Sequence, residues 1–514
     1  MRWLPTLERV FTCIFPRTEA EPMTTNETNS GGYAYRFRNV KNLLGRKELE
    51  NSEIYFAAPE QLNDPLEGHI NVYWQGDEVI WRNLFRHYLN CVLLALGLFA
   101  DAEQKQETAE WKFLHIRNPL INGVRPEHIQ LRKQIFEHEV IANYIERIAQ
   151  TPRRIGPYEL NAHLEAIHPF VIYACYMWYS DRANAEVRAK VPDFSKVVQR
   201  AIDRARRSMQ LTDQLDAACG NDAEKREEQY KLLMLAAEES SVLNYYKNTL
   251  DVKDKNRAFV HNDFCRAYVL NLRTLMYPRW FAACFMERCS GEAMWAYYGD
   301  SHAGVCLKYK TVPDSAKKPS LRINMPVGLA GGVIFSYLNL QFLPVTYEAA
   351  HLEQNFFDTL HAVTIPVLNQ QWMYDDQGRR SKCGRQSAVE ESDWRTAYWQ
   401  DARYSTSIKT RAWQAEGESR LVYQSDGFNL DVDTQLRTMK YDFSALDGII
   451  FGIRTPATDK IKIIEIIERK CKEAGRTDFN FYQAVQTRTG EIECVRLRGI
   501  SEMVTHRGYF KSTG

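Results

Sequence analysis

Hydrophobic residues follow two different periods along the chain. Between residues 33 and 75, short apolar runs such as Ile54–Phe56 are separated by turn-forming residues and predict a strand, a short helix and a second strand. Between about 76 and 270, apolar residues recur every three or four positions, as from Phe194 to Met209, which is typical of amphipathic helices. From about 271 to 514, short β-like runs return, with one more helical pattern over 461–472. The pattern predicts an α+β fold.

The same pattern indicates how the chain is divided. Residues 1–32 end in a polar stretch of small side chains and are predicted to be a flexible leader. Residues 33–75 are predicted to form the first part of an α+β core, 76–270 an α-helical insertion or subdomain, and 271–514 the rest of the core. The longest apolar run, Cys91–Ala100, has ten residues, whereas about 20 are needed to span a bilayer, so we expect no membrane association.

Composition and charge narrow the classes of function. The chain has 514 residues, 66 Lys and Arg against 65 Asp and Glu, and a net charge of +1, which excludes a strongly basic nucleic-acid binder but not a local basic groove. Eleven cysteines include no Cys-x-x-Cys pair, and we interpret them as the reduced thiols of a cytoplasmic protein. The zinc-protease pattern that begins at His138 lacks its second histidine because Ala142 stands in that position, so no metal is predicted.

The first of three clusters with candidate chemistry lies near the start of the fold. Its members are Tyr35, Arg36, Arg38, Asn63 and Asp64. On a strand, Arg36 and Arg38 lie on one face and Tyr35 on the other. Two guanidinium groups beside a turn rich in amide and carboxylate groups can hold a phosphate or a carboxylate ligand. They can equally pair with acidic side chains of the protein, such as Asp64 or Glu67.

The second cluster lies in the segment from Met294 to Gly304. Its candidate residues are Trp295, Tyr298, Asp300 and His302. Aromatic faces beside a hydrogen-bonding pair suit a planar ring such as a nucleobase or nicotinamide. The alternative interpretation is that Trp295 and Tyr298 pack in the core while His302 caps a turn.

The third cluster runs from Lys409 to Arg420. If a strand begins by Glu416, then Glu416, Glu418 and Arg420 project from one face with a period of two. Two close carboxylates with a cation beside them can separate their pKa values and divide the roles of acid and base. A ladder of ion pairs on an exposed edge strand is the alternative.

Together the three clusters resemble the bacterial family catalogued as domain of unknown function 2971. The matching segments, in the order shown by that family, are IYFAAPEQLNDP from Ile54 to Pro65, CFMERCSGEAMWAYYGDSHAGVC from Cys284 to Cys306, and KTRAWQAEGESR from Lys409 to Arg420. The helical region 76–270 has no counterpart in this resemblance. The family label carries no established chemistry.

A second resemblance concerns the DNA- and RNA-directed ADP-ribosyltransferases. The opening YRFRNVKNLLGRKELENSEIYFAAP is similar to their first strand and helix, and Glu416-Gly417-Glu418 is similar to the Glu-x-Glu on their late strand. This resemblance implies a split, β-rich ADP-ribosyltransferase-like core that carries the α-helical insertion, with NAD as substrate.

The chemistry of NAD cleavage gives each candidate residue a role within this resemblance. Breaking the nicotinamide–ribose bond builds an oxocarbenium-like transition state. Glu418 would stabilise that state, and Glu416 would orient or activate the acceptor. Arg36 or Arg38 would hold the pyrophosphate. Trp295 and Tyr298 would flank a ring. The other candidate cofactor-binding residues are Tyr35, Asn63, Asp64, Asp300, His302, Lys409 and Arg420.

Three classes of function follow as hypotheses. The first is a bacterial effector, toxin-like or active in anti-phage defence, that cleaves NAD for hydrolysis or for ADP-ribosyl transfer to a nucleic acid or a protein. The second is a non-catalytic sensor or scaffold that recognises a nucleotide or a phage component and works with partner proteins. The third, which has the least support, is a metal-dependent nuclease using Asp64, Asp300 and the Glu416–Glu418 pair. The oligomeric state is left open.

Overall fold

The computed structural model divides the chain into two compact units. One, the β-rich unit, comprises Met1–His69, Arg279–His351 and Tyr404–Gly514, and the other, the helical unit, comprises Ile70–Pro278 and Leu352–Arg403. The residues that the structure describes are 32–64, 66–105, 116, 126–180, 194–247, 259–348, 352–360, 365–383, 391–424, 430 and 433–505. The predicted leader, apart from Gly32, therefore lies outside the described residues.

Most strands in the described part of the chain belong to one large mixed sheet in the β-rich unit. In chain order the strands are β1 Tyr33–Arg38, β2 Glu53–Tyr55, β3 Asn71–Tyr73, β4 Trp280–Met286, β5 Val305–Lys310, β6 Val312–Pro313, β7 Pro319–Leu329, β8 Val333–Pro344, β9 Thr346–Glu348, β10 Glu353–Asn355, β11 Ile408–Thr410, β12 Glu418–Gln424, β13 Thr438–Tyr441, β14 Leu446–Phe451, β15 Asn480–Gln486 and β16 Ile492–Arg496. The large sheet has the order β16-β15-β14-β5-β1-β4-β12-β8-β7-β13-β2, with β6 paired to β7. Strands β9 and β11 form a separate parallel pair.

The two faces of the large sheet carry different side chains. Glu418 pairs with Met286, and Met286 pairs with Tyr35, so these three side chains lie on one face. Arg36 and Phe285 alternate with them along their strands and lie on the opposite face. That opposite face forms the larger apolar core of the unit, to which the buried side chain of Phe285 belongs.

The helices are distributed unequally between the two units. In the β-rich unit they are α1 Val40–Gly45, α9 Glu292–Tyr297, α12 Ala457–Ala474 and α13 Arg498–Thr505. The others are α2 Glu78–Gln104, α3 Pro126–Phe136, α4 Glu139–Ala149, α5 Pro157–Ser180, α6 Phe194–Cys219, α7 Ala223–Lys247, α8 Phe264–Leu272, α10 Ile365–Leu368 and α11 Glu391–Ser405. No helix in the described part of the chain combines the length and apolar character that crossing a bilayer requires.

Buried polar pairs help to hold the helical unit together. His87 Nδ1 lies 2.8 Å from the Tyr268 hydroxyl, and His163 Nδ1 lies 2.8 Å from the Tyr144 hydroxyl. Burial lowers the pKa of His87 to about 4, so its ring is neutral at physiological pH. These two histidines thus form hydrogen bonds with tyrosine hydroxyl groups that are buried away from water.

The structure confirms the α+β class and several local predictions. The predicted strand–helix–strand start corresponds to β1, α1 and β2. The predicted helical pattern from Phe194 to Met209 lies within α6, and the pattern over 461–472 lies within α12. Because α12 connects the parallel strands β14 and β15, this part of the sheet has a β–α–β crossover.

Candidate functional site

Five charged side chains meet at one end of β12 in the β-rich unit. They are Glu67, Lys409, Glu416, Glu418 and Arg420, and we call them the charged cluster. None of the five side chains is more than 3% exposed. Buried charges are costly unless they are paired, so their meeting in one place is a specific feature of the fold.

The backbone around Gly417 brings the two carboxylates of the third sequence cluster together. The condition considered for this cluster, a strand that begins by Glu416, is not met, because residues Arg411–Glu416 form a 3-10 helix and β12 begins at Glu418. Gly417 joins the two elements with a φ of 53°, a left-handed conformation that costs glycine little. Because Gly417 adopts this conformation easily, Glu416 at the end of the helix and Glu418 at the start of β12 can both contact Lys409.

Lys409 bridges the two carboxylates. Its Nζ donates to Glu416 Oε2 at 2.6 Å and to Glu418 Oε2 at 3.1 Å. On the other side of Glu416, the Tyr298 hydroxyl donates to Oε1 at 2.5 Å. Lys409 lies on β11 opposite Tyr347 of β9, and the Tyr347 hydroxyl accepts from the backbone N–H of Glu418 at 2.8 Å. The small β9–β11 pair thus fixes this part of the cluster.

Arg420 holds the opposite side of Glu418. Its Nε donates to Glu418 Oε1 at 2.7 Å and its Nη2 to Oε2 at 3.2 Å, which is a bidentate pairing. Its Nη1 donates to the Thr406 carbonyl at 2.9 Å and lies 2.7 Å from Glu67 Oε1. Arg420 is fully buried, so every one of these contacts is made away from water.

The surroundings shift the pKa values of the three carboxyl groups of the cluster in different directions. Burial by itself would raise the pKa of Glu418, but Arg420 and Lys409 outweigh it and lower that pKa to about 2. For Glu416, burial prevails over Lys409 and Tyr298 and raises the pKa. The pKa of Glu67 is also raised, chiefly by burial, against the effect of Arg420. Three carboxylates facing two cations therefore leave one fixed anion and two groups that take up a proton more readily.

Cys284 is the neighbouring thiol on the same face of the sheet. It pairs with Arg420 across β4 and β12 and is partly exposed. Burial of its sulfur and the nearby Glu418 carboxylate raise the pKa of the thiol well above its ordinary value. Cys284 is therefore a protonated neighbour of the cluster rather than a thiolate nucleophile.

The structure does not bring Arg36 and Arg38 to the cluster. Both project from the face of the sheet opposite Glu418. Arg36 donates to the Tyr55 carbonyl at 3.2 Å, and Arg38 forms an ion pair with Glu48, with Nε 2.9 Å from Oε2. The acid that Arg38 pairs with is thus Glu48, a residue that the sequence analysis did not consider.

Two aromatic candidates lie in the core. Trp295 is fully buried, donates its indole N–H to the Cys289 carbonyl at 2.7 Å and packs edge-on against Phe37. Tyr35 is buried in the same apolar cluster, and burial raises the pKa of its hydroxyl. Of the second sequence cluster, only Tyr298 contacts the charged cluster directly.

The remaining candidates lie in turns. Asn63 is exposed, and Asp64 Oδ1 accepts from the backbone N–H of Leu66 at 2.9 Å. Asp300 and His302 belong to a turn in which both have left-handed φ values, 52° and 70°. No group of three or more metal-ligating side chains converges within the described residues. Asp64 shapes the turn that carries Glu67, because the backbone N–H of Glu67 donates to the Asp64 carbonyl at 3.0 Å.

Glu67 is the member of the cluster that the sequence analysis missed as a site residue. It was considered only as an ion-pair partner for the arginines of β1. The signal that could have found it is the turn-forming sequence Asn63-Asp64-Pro65, which comes just before Glu67 in the chain. Nothing in that signal indicates Arg420 as its partner, because Arg420 lies more than 350 residues further along the chain.

Replacing Glu67 with glutamine tests the protonation of the cluster. A raised pKa means that the stability contributed by protonated Glu67 is fully present below its ordinary pKa of 4.5 and is lost as the pH rises through the raised value. Relative to wild type, Glu67→Gln is therefore expected to gain melting temperature over the range in which the pH rises from the ordinary pKa of 4.5 through the raised pKa of Glu67. A difference in melting temperature that stays constant over this range would contradict the assignment. The exposed Glu493→Gln is the matched control, expected to follow wild type.

Comparisons with known proteins do not assign a family or a function to this site. No protein-family model matches the chain, and no curated protein or solved structure matches it significantly. The two resemblances drawn from the sequence motifs stay predictions.

Proposed function

We propose that the chain is an NAD-cleaving enzyme, with an ADP-ribosyltransferase-like core, that acts as a bacterial toxin-like or anti-phage effector. The observation that carries the proposal is that Glu416 and Glu418 share Lys409 while their pKa values shift in opposite directions. Pairs of carboxyl groups whose environments separate their pKa values are typical of sites that cleave glycosidic bonds.

Glu418 is suited to stabilise a developing positive charge. Its low pKa keeps it ionised at physiological pH, and its position between Arg420 and Lys409 fixes its orientation. When the nicotinamide–ribose bond breaks, the ribose acquires oxocarbenium character, and a fixed carboxylate beside it becomes more favourable as the charge appears. This interaction is stronger in a site that excludes water.

Glu416 is suited to move a proton. Its pKa is raised, so it changes its protonation state closer to physiological pH than Glu418 does. In the proposal, ionised Glu416 accepts the proton of the attacking hydroxyl, either of water for hydrolysis or of a nucleic-acid or protein acceptor for transfer. The Tyr298 hydroxyl orients it through the hydrogen bond to Oε1.

Two aromatic side chains contact the charged cluster. Tyr298 and Trp413 are both partly exposed, and Lys409 Nζ lies 4.8 Å from the centre of the Trp413 ring. In the proposal, these two rings move aside and flank the nicotinamide, a role that the sequence analysis gave to Trp295 and Tyr298. The proposal does not use Arg36 or Arg38, because they lie on the other face of the sheet.

The direct test is release of nicotinamide from NAD by the purified chain, alone and with bacterial lysate or phage extract. We expect release whose rate rises with pH through the raised pKa of Glu416, because the base must be ionised. Glu416→Gln is expected to remove that dependence and to slow release by about 100-fold or more. Intact NAD under every condition, with a folded protein, would overturn the proposal.

The burial of the cluster favours a second candidate, a non-catalytic sensor or scaffold. Five charged side chains that are at most 3% exposed can equally serve to fix the ends of β11 and β12. This candidate expects a nucleotide or a phage component to raise the melting temperature, or to induce assembly with a partner protein, while NAD stays unchanged. The two candidates thus differ in the fate of NAD in one experiment.

A further inference from the structure

A long hairpin in the β-rich unit carries an unusual apolar surface. Strands β7 and β8 form it, and the 25 residues from Ile323 to Tyr347 include no Asp, Glu, Lys or Arg, although a quarter of the chain is charged. We call its distal part, residues 327–338, the arm. Exposed edges of natural sheets usually carry charges that prevent association, and the arm has none.

Large apolar side chains of the arm are exposed to solvent. The exposed fractions lie between 41% and 66% for Val327, Leu329, Ile334, Phe335, Tyr337 and Leu338. Ile334 and Leu338 lie on one face of β8, whereas Phe335 and Tyr337 lie on the other. Both faces of the arm are therefore apolar and open, which is the mark of an interaction surface rather than of isolated exposed residues.

The backbone of the arm is also open along one edge. Strand β8 pairs with β7 from Val333 to Gln341, but with β12 only from Phe342 to Pro344. Among the described residues, no strand pairs with the second edge of β8 between residues 333 and 341. An occupant of this surface must therefore cover apolar side chains and also supply backbone hydrogen bonds.

We propose that a second copy of this chain occupies the arm, with the two β8 strands pairing antiparallel about a twofold axis. A lipid surface would cover the side chains but would leave the N–H and C=O groups of the edge unpaired. A second β8 supplies these backbone partners and packs its own apolar side chains beside those of the first across the seam, because it is itself an extended apolar strand with an open edge. The arm itself, residues 327–338, carries no charge in either copy, and the nearby guanidinium of Arg322 stacks on the Tyr337 ring of its own copy, 5.3 Å from the ring centre.

The side-chain pattern of β8 is compatible with twofold pairing centred on Tyr337. In that register, Tyr337 of one copy faces Tyr337 of the other, and Ile334 faces Leu340. Of the six exposed apolar side chains, Ile334, Phe335, Tyr337 and Leu338 lie on β8 at the seam, whereas Val327 and Leu329 lie on β7, one strand further away. An edge-to-edge pairing therefore buries less than the ~1,200 Å² at which the range for specific, stable interfaces begins. We therefore expect a reversible dimer rather than an obligate one.

A charge swap at the axis tests the proposal. Wild type is expected to be a dimer that dissociates on dilution in sedimentation velocity. Tyr337→Lys alone and Tyr337→Glu alone each place like charges directly opposite each other and are expected to weaken the dimer at least about tenfold. An equimolar mixture of the two variants is expected to recover dimer, because opposite charges then face each other. Ile461→Lys, at an exposed position of α12, is the matched control and should leave the dimer unchanged.

Three results would overturn the proposal. The first is a wild-type protein that stays monomeric up to about 100 μM, well above the range of a reversible specific dimer. The second is a dimer that neither single variant weakens. The third is a monomer that sediments with phosphatidylcholine vesicles and loses this binding in Tyr337→Glu, which would assign the arm to lipid. Circular dichroism of each variant verifies that it is folded, and recovery in the mixture excludes misfolding as the cause of a lost dimer.

Discussion

Replacing Arg420 with alanine is expected to lower the free energy of unfolding by about 3–5 kcal/mol. Arg420 is fully buried and is the ion-pair partner of Glu418 and Glu67. Its removal leaves three buried carboxylates, Glu67, Glu416 and Glu418, with Lys409 as their remaining cation in the cluster, and it removes the hydrogen bond from Arg420 Nη1 to the Thr406 carbonyl. Leaving buried charges without a partner is the most destabilising change that can be made in this cluster. The decrease in the free energy of unfolding should therefore exceed that of a typical core substitution. Urea-induced unfolding measures the change.

Two further variants test whether the unpaired buried charges cause the loss of stability in Arg420→Ala. Arg288→Ala removes an exposed arginine of the same unit and is expected to change the free energy of unfolding by less than about 0.5 kcal/mol. Adding Glu67→Gln to Arg420→Ala removes one of the stranded carboxylates and should recover part of the loss. If the double variant is no more stable than Arg420→Ala, the cost comes from the cavity and not from the electrostatics.

Replacing Glu418 with glutamine is expected to reduce nicotinamide release from NAD by at least about 100-fold. Glutamine keeps the shape and the acceptor oxygen, but it lacks the negative charge that the transition state requires. The fold should survive, because the amide oxygen of glutamine can still accept hydrogen bonds from Arg420 and Lys409. The rate and the melting temperature, measured on the same preparation, separate loss of chemistry from loss of structure.

The position of Glu418 also gives this variant a pH signature. A lowered pKa means that the stability contributed by Glu418 is present above its ordinary value of 4.5 and is lost as the pH falls through about 2. The difference in melting temperature between wild type and Glu418→Gln should therefore shrink as the solution is acidified. Glu493→Gln, an exposed change, should alter neither the rate nor the stability. Full turnover in Glu418→Gln would remove Glu418 from the proposed chemistry.

Local features of the fold could be predicted from the sequence because they depend on neighbouring residues. The alternation of Tyr35 and Arg36 places their side chains on opposite faces of β1, and the apolar spacing from Phe194 predicts α6. The same reasoning selected Lys409, Glu416, Glu418 and Arg420 as one cluster. These four lie within twelve residues, so their meeting needs only a turn and a strand.

Features that depend on distant strand pairing could not be predicted in the same way. Whether Arg36 shares a face with Glu418 is decided by the register of β1 against β4 and of β4 against β12, which no local pattern specifies. The contact between Glu67 and Arg420 depends on the same long-range order. The start of β12 could not be located for a different reason, since alternation at Glu416 does not distinguish a strand from a 3-10 helix that ends there.

The order of the strands has a consequence for synthesis of the protein. Strand β1 lies in the middle of the large sheet, but its neighbours β4 and β5 follow it by about 250 residues. At ordinary translation rates, β1 leaves the ribosome roughly 10–50 s before either neighbour exists. During that interval both of its edges are open to strands of other nascent chains. The yield of native protein should therefore depend on chaperones that shield the early segment, and slower synthesis at low temperature alone would not remove this need.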